Sequence, residues 1–213
     1  MISLRRALLC PTFVAAFVFA VLVHASPIQI TVDTSLLAGT SADLAFDLTD
    51  GGPPANTVTI SGFASNGTLV TASSSGDVTG VFPGTVTIGD TGFFNEYLQS
   101  ITLGSSLTFS FDTTGNAAAA GSSPDGFALF FLDPTTGLPL FTTSDPTGAN
   151  ALFLYSIGEA IPLELYSSDT VTVQATSNVV PEPGTYALVI AALLVFGVVR
   201  ALRQLKLRQR MRA

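Results

Sequence analysis

Apolar and polar residues alternate along most of this chain with a period of two, the signature of half-buried strands, and not with the 3.6-residue period of a helix. The runs IQITV (28–32), DLAFDL (43–48), TVTISGFA (57–64), GTVTI (84–88), LTFSFDTT (107–114), FALFFLD (127–133), ALFLYS (151–156) and TVTVQAT (170–176) are rich in Val, Ile, Thr and Phe. Such residues fit a pleated, half-buried surface. Between the runs sit turn formers: DGGPPAN (50–56), SNG (65–67), SSSGD (73–77), GNAAAAGSSPDG (115–126), DPTTGLP (133–139) and SDPTGAN (144–150). Gly admits positive φ there, Pro presets φ, and Asp or Asn bonds its own backbone. About ten short strands at this spacing predict an all-β fold, an antiparallel β-sandwich of the jelly-roll-like kind. The segment Phe93–Leu103, FFNEYLQSITL, is the least decided, and a helical turn is expected at its start.

Both ends depart from the alternation. The first 25 residues have a basic start with Arg5 and Arg6, an apolar stretch from Ala7 to Val23 and a small-residue ending, which predicts a secretory signal cut between Ala25 and Ser26. An uncleaved N-terminal anchor is the competing reading, because the apolar stretch is long. Cys10 has too little apolar sequence before it for a lipoprotein signal and belongs to the segment expected to be removed. Near the other end, residues 185–199 are apolar apart from Thr185 and Gly197. At about 1.5 Å per residue they reach about 22 Å, and extension to Leu202 with Arg200 snorkelling predicts a transmembrane helix over 185–202. A basic tail, 200–213, would then stay cytoplasmic and residues 26–178 would form an external domain. A plain stop-transfer anchor accounts for the same features.

Charge is segregated. All eight basic residues lie at the ends, and between Ala7 and Val199 the chain holds all fifteen acidic residues and no Lys or Arg. A body of that sign repels nucleic acid and anionic membrane surfaces, so no nucleic-acid partner is expected. Cys10 and His24 are the only cysteine and histidine. The external domain therefore has no disulfide and must rest on its core.

Val180, Pro181, Glu182 and Pro183, followed at once by the apolar stretch and the Arg-rich end, resemble the PEP-CTERM sorting signal of Gram-negative bacteria. The resemblance covers about residues 179–213, and three parts in the right order carry it. It implies that exosortase, a membrane enzyme of the cysteine-protease kind, recognises the Pro-Glu-Pro region and removes or exchanges the tail. It further implies Sec export, a single-pass membrane intermediate, delivery to the cell surface or matrix, and a setting of exopolysaccharide and biofilm. The two prolines suit the role physically, since they hold the backbone extended. The external domain, with DGGPPANTVTISGF and FFNEYLQSITLGSSLTFSF, is similar to proteins that carry such tails, and that likeness implies no functional residues.

What chemistry is left to the domain follows from what it lacks. Without His, Cys, Lys or Arg it cannot assemble a Ser-His-Asp or Cys-His unit, a Schiff base, a phosphate clamp or a His/Cys zinc site. A non-enzymatic role is expected. Hydrolysis of glycosides by two carboxylates survives on paper, with Glu96, Glu159 and Glu164 as candidates. Calcium suits the residues better: Asp47, Asp50, Asp112, Asp125 and Asp133 lie in or beside turns where several can converge at one end of a sandwich. Each is equally explained as a turn former. Sugar recognition is the other expectation, with Tyr97, Tyr155 and Tyr166 as stacking platforms in a chain without Trp, and most Phe assigned to the core and membrane segments. The Asn66-Gly67-Thr68 sequon is explained as well by turn chemistry as by glycosylation.

Overall fold

A computed structural model describes residues 27–177. These form twelve strands: β1 (Ile28–Asp33), β2 (Ser41–Thr49), β3 (Thr57–Ser65), β4 (Thr68–Ser75), β5 (Val78–Gly80), β6 (Val86–Gly89), β7 (Phe94–Thr102), β8 (Ser106–Thr113), β9 (Gly126–Leu132), β10 (Phe153–Ser156), β11 (Leu163–Leu165) and β12 (Thr172–Ser177). One 3-10 turn, Ser35–Leu37, separates β1 from β2. The signal segment, the Val180–Pro183 motif, the apolar span and the basic tail lie outside the described residues. Among the described residues, no helix is long and apolar enough to cross a membrane.

The strands make two antiparallel sheets of six. The first runs β12-β1-β8-β3-β6-β5 and the second β11-β10-β9-β2-β7-β4, so β1 and β2, β2 and β3, β3 and β4, β6 and β7, and β7 and β8 each lie on opposite sheets. Alternation along each strand decides which side is dry. On β2, Ala42, Leu44, Phe46 and Leu48 are buried, and on β8 Leu107, Phe109 and Phe111 are buried, so each strand contributes one apolar row to a shared interior.

That interior is aromatic. Phe46 meets Phe109 edge to face with centroids 5.2 Å apart, and Phe111 stacks on Phe153 at 5.8 Å and meets Tyr155 at 5.1 Å. These contacts join the two sheets. A second group, Phe63, Phe82 and Tyr97, closes the core beside Phe46. With no cysteine in the described residues, this packing is what holds the two layers together.

The segment expected to open with a helical turn is instead nine residues of strand, β7. Its inward row, Asn95, Tyr97, Gln99 and Ile101, contains two amides, which conceals the alternation. The amides are tolerated because they are bonded. Asn95 Nδ2 donates to Gly92 O (2.7 Å) while its Oδ1 accepts from Asp77 N (2.9 Å), and Gln99 Oε1 accepts from the Tyr97 hydroxyl (2.9 Å).

Phe111→Ala, which removes a ring touching both layers, is expected to lower the unfolding free energy by about 3–5 kcal/mol. Val70→Ala, at an exposed position on edge strand β4, should change it by less than about 0.5 kcal/mol. Urea unfolding of the two variants side by side measures the difference.

Candidate functional site

Antiparallel alternation sends the β2–β3, β6–β7 and β8–β9 connections to the same end of the sandwich, and each brings an aspartate there. Asp50 follows β2, Asp90 follows β6 and Asp125 precedes β9. One carboxylate oxygen from each lies within 4.8 Å of the others. Asp125 is 2% exposed and Asp90 7%, so neither charge has water to fall back on.

Neutral donors hold the cluster. Asp125 Oδ1 accepts from Gly51 N (2.7 Å) and its Oδ2 from Asn56 Nδ2 (2.7 Å), Asp90 Oδ2 accepts from Asn56 N, and Asp50 Oδ1 accepts from Gly52 N (2.6 Å). Asn56 is the hub. It also donates through Nδ2 to Asn116 O (3.1 Å), and its Oδ1 accepts from the Thr114 hydroxyl (2.8 Å) and Asn116 N (2.9 Å), so one residue, through its side chain and its backbone N–H to Asp90, ties three connections together. Gly51 is required by space, because a Cβ there would collide with the carbonyl oxygens of Ser123 and Pro124. Burial, and after it the Asp125 and Asp50 carboxylates, push the Asp90 carboxyl up in spite of its bond from Asn56.

Three clustered carboxylates with free oxygen lone pairs suit a hard divalent cation, with Asp50, Asp90 and Asp125 as its ligands. Of the five aspartates expected from the sequence, Asp50 and Asp125 converge and Asp90 joins them. Asp112, at the end of β8, projects from the outer face of its sheet and accepts from Thr113 N (2.9 Å). Asp133 lies past the other end of β9, where Thr135 N (2.8 Å) and Thr136 N (2.9 Å) hold its carboxyl below the usual range. Asp47 sits within β2 on the outer face of the second sheet.

There Asp47 pairs across strands with Glu96 of β7. Its Oδ1 is buried without a hydrogen-bond partner, a position distinct among the described residues. Burial first, then the Glu96 carboxyl beside it, push the Asp47 carboxyl up to about 7. Burial also raises Glu96, against the lowering effect of Asp47 beside it. The Asp47 carboxyl therefore keeps its proton to a higher pH than an ordinary carboxylate does.

The same face carries a cleft of about 600 Å³ running from Asp47 to Asp50. Gly126 and Ala128 of β9 leave its floor low, Phe130 and Leu154 form apolar wall, and Phe93 and Phe94 stand at its edge. Phe93 is 75% exposed and Phe94 46%. The exposed rings at the cleft are thus these phenylalanines. Tyr97 and Tyr155, expected in that role, are buried in the core, and Tyr166 is bonded through its hydroxyl to Glu164 (3.0 Å). Of the three glutamates considered for hydrolysis, Glu96 has a carboxyl neighbour in Asp47, while Glu159 lies exposed in the turn after β10.

Fold and site together define an antiparallel β-sandwich with an acidic cluster at one end and an apolar-walled cleft on one outer face. No protein-family model, no curated protein and no solved structure matches the chain.

Because Asp47 has a raised carboxyl pKa in the fold, the native state binds a proton between about pH 4 and about 7 that the unfolded chain lacks. The stability it contributes is full below that window and is lost as pH rises through about 7. The melting temperature is expected to fall from about pH 5 to about pH 8, and less steeply in Asp47→Asn, which cannot ionise. Thermal melts of both proteins across that range are the measurement, and equal slopes would contradict the raised Asp47 carboxyl.

Proposed function

We propose that the chain is an exported, non-enzymatic protein of the cell surface or extracellular matrix, sorted by exosortase through its C-terminal tail. The observation that carries this reading is the segregation of charge and function along the sequence. Basic and apolar ends flank a body, residues 27–177, that has fourteen carboxylates, all the acidic residues but Glu182, and no Lys, Arg, His or Cys. Such ends suit an address, and such a body lacks the groups that most enzymes need. The strand order β1-β8-β3-β6 facing β2-β7-β4 favours a jelly-roll-like sandwich, a frame used for structural and adhesive roles in which exopolysaccharide is the natural neighbour.

Replacing Pro181, Glu182 and Pro183 by alanine tests the sorting step. The native protein is expected to lose mass and reach the surface, while the variant keeps its tail and stays in the cytoplasmic membrane. Mass spectrometry and fractionation of both strains read the outcome, and unchanged processing would leave a plain single-pass anchor.

A second reading, a calcium-assisted carbohydrate-binding module, is favoured by the convergence of Asp50, Asp90 and Asp125. A divalent cation there would offset most of the charge of three carboxylates that the body has no Lys or Arg to pair. At calcium about a hundredfold above its Kd, the fold should gain about 2.7 kcal/mol, seen as a higher melting temperature that chelator reverses. Asp90→Asn should abolish the calcium-dependent part, and an absence of any shift in the native protein removes this reading.

A further inference from the structure

The outer-face cleft has the makeup of a ligand site and not of a gap in packing. Its walls are mostly apolar, its polar groups are few, and its volume of about 600 Å³ falls in the range of small-ligand pockets. Two adjacent rings, Phe93 and Phe94, stay exposed beside it although the core a few ångströms beneath is aromatic. Their backbone is held in place: Phe93 O accepts from Asp50 N (3.0 Å), and Phe94 pairs with Thr49 at the start of β7. Between them and Phe130 lie the carboxyl groups of Asp47 and Asp50 and the hydroxyl-bearing Thr49 and Ser123.

The geometry points to a binding site for an uncharged glycan, its ring faces stacked on Phe93 and Phe94 and its hydroxyls bonded to Asp47 and Asp50. Apolar CH faces edged by hydroxyls are what a sugar offers, and exposed rings beside carboxyl acceptors are their complement. Uronate, sulfate and phosphate groups are excluded by charge, because the described residues hold no cation to meet them. A polycation would be drawn to the whole acidic body and would have no need of the rings or the depression. The raised Asp47 carboxyl fits the uncharged choice, since in its protonated form it can both donate and accept. This assignment deepens the surface-protein reading and rests on it only for the source of the glycan.

Titration calorimetry of the purified full chain at about 0.15 M salt tests it, with the neutral hexasaccharides of cellulose, amylose, xylan and mannan as probes and polygalacturonate and chitosan hexamer as charged controls. At least one neutral probe is expected to bind with a Kd of about 1 mM or tighter. Phe93→Ala combined with Phe94→Ala, and separately Asp47→Ala, should weaken it about tenfold or more, with Glu159→Ala unchanged. In the native protein the probe should shift the ring protons of Phe93 and Phe94, a readout that does not depend on how well the variants fold. Failure of all four neutral probes at about 10 mM, binding by the charged controls alone, or ring protons that do not move overturns the assignment. Tail processing plays no part in this titration, so its failure and that of the Pro181-Glu182-Pro183 experiment are separate results.

Discussion

A folded body with fourteen carboxylates and no cation has no salt bridges to spend, and this constraint shapes the architecture more than any single contact. Each acid brought out of water must find an N–H or hydroxyl donor, share a proton, or face something from outside. The first solution is the commonest here. Ser35 bonds Asp33, Ser100 bonds Asp43, and Thr135 and Thr136 bond Asp133. Against the upward push of burial, Thr147 and the backbone of Ala151 and Asn150 hold the Asp145 carboxyl below its usual range. Apart from the cross-strand bond of Ser100 to Asp43, these bonds are also the turns, so satisfying the charge and reversing the chain are the same act.

The end of the sandwich around Asn56 is where that economy is most crowded. Three connections meet there, each with an aspartate, and one buried asparagine supplies donors to two of them. Because Asp50 belongs both to this cluster and to the wall of the cleft, the anchored DGGPPAN loop fixes the acidic cluster and shapes one side of the outer-face depression. The bond from Asp50 N to Phe93 O carries the same rigidity to the backbone that bears the exposed rings. The aromatic core beneath supplies what the surface cannot, namely cohesion without charge.

Much of the fold was legible in the alternation, since a period of two with Gly, Pro and Asp at the breaks has few other meanings. What escaped did so for local reasons. Strand β4, TLVTASSS, is an exposed edge strand with no apolar row to reveal it, and β7 hides its row behind Asn95 and Gln99. Missing those strands has a price at the site, because the parity of strands decides which connections share an end. With β7 in place, Asp125 falls at the same end as Asp50 and the GDTG turn carrying Asp90; without it, Asp125 would be placed at the opposite end. Register explains the aromatics too. Tyr97 and Tyr155 occupy inward positions of their strands, and only the pairing of β7 with β2 and of β10 with β9 shows that Phe93 and Phe94 are the rings left outside. The ends of the chain, where the resemblance to a sorting signal lies, are outside the described residues.

The two places where carboxyl groups crowd together are the two places with chemistry to offer, and they differ in what completes them. At Asp50, Asp90 and Asp125 one oxygen from each converges within 4.8 Å of the others, a spacing that a single divalent cation can bridge. At Asp47 and Glu96 only two carboxyls lie side by side, on the outer face of the sheet, fewer ligands than a calcium ion takes, and beside them the surface turns apolar. A proton settles the charge there but leaves acceptors facing a cleft edged by rings. The complement to that surface must bring its own donors and its own apolar faces, which is a property of polyhydroxylated rings and not of ions.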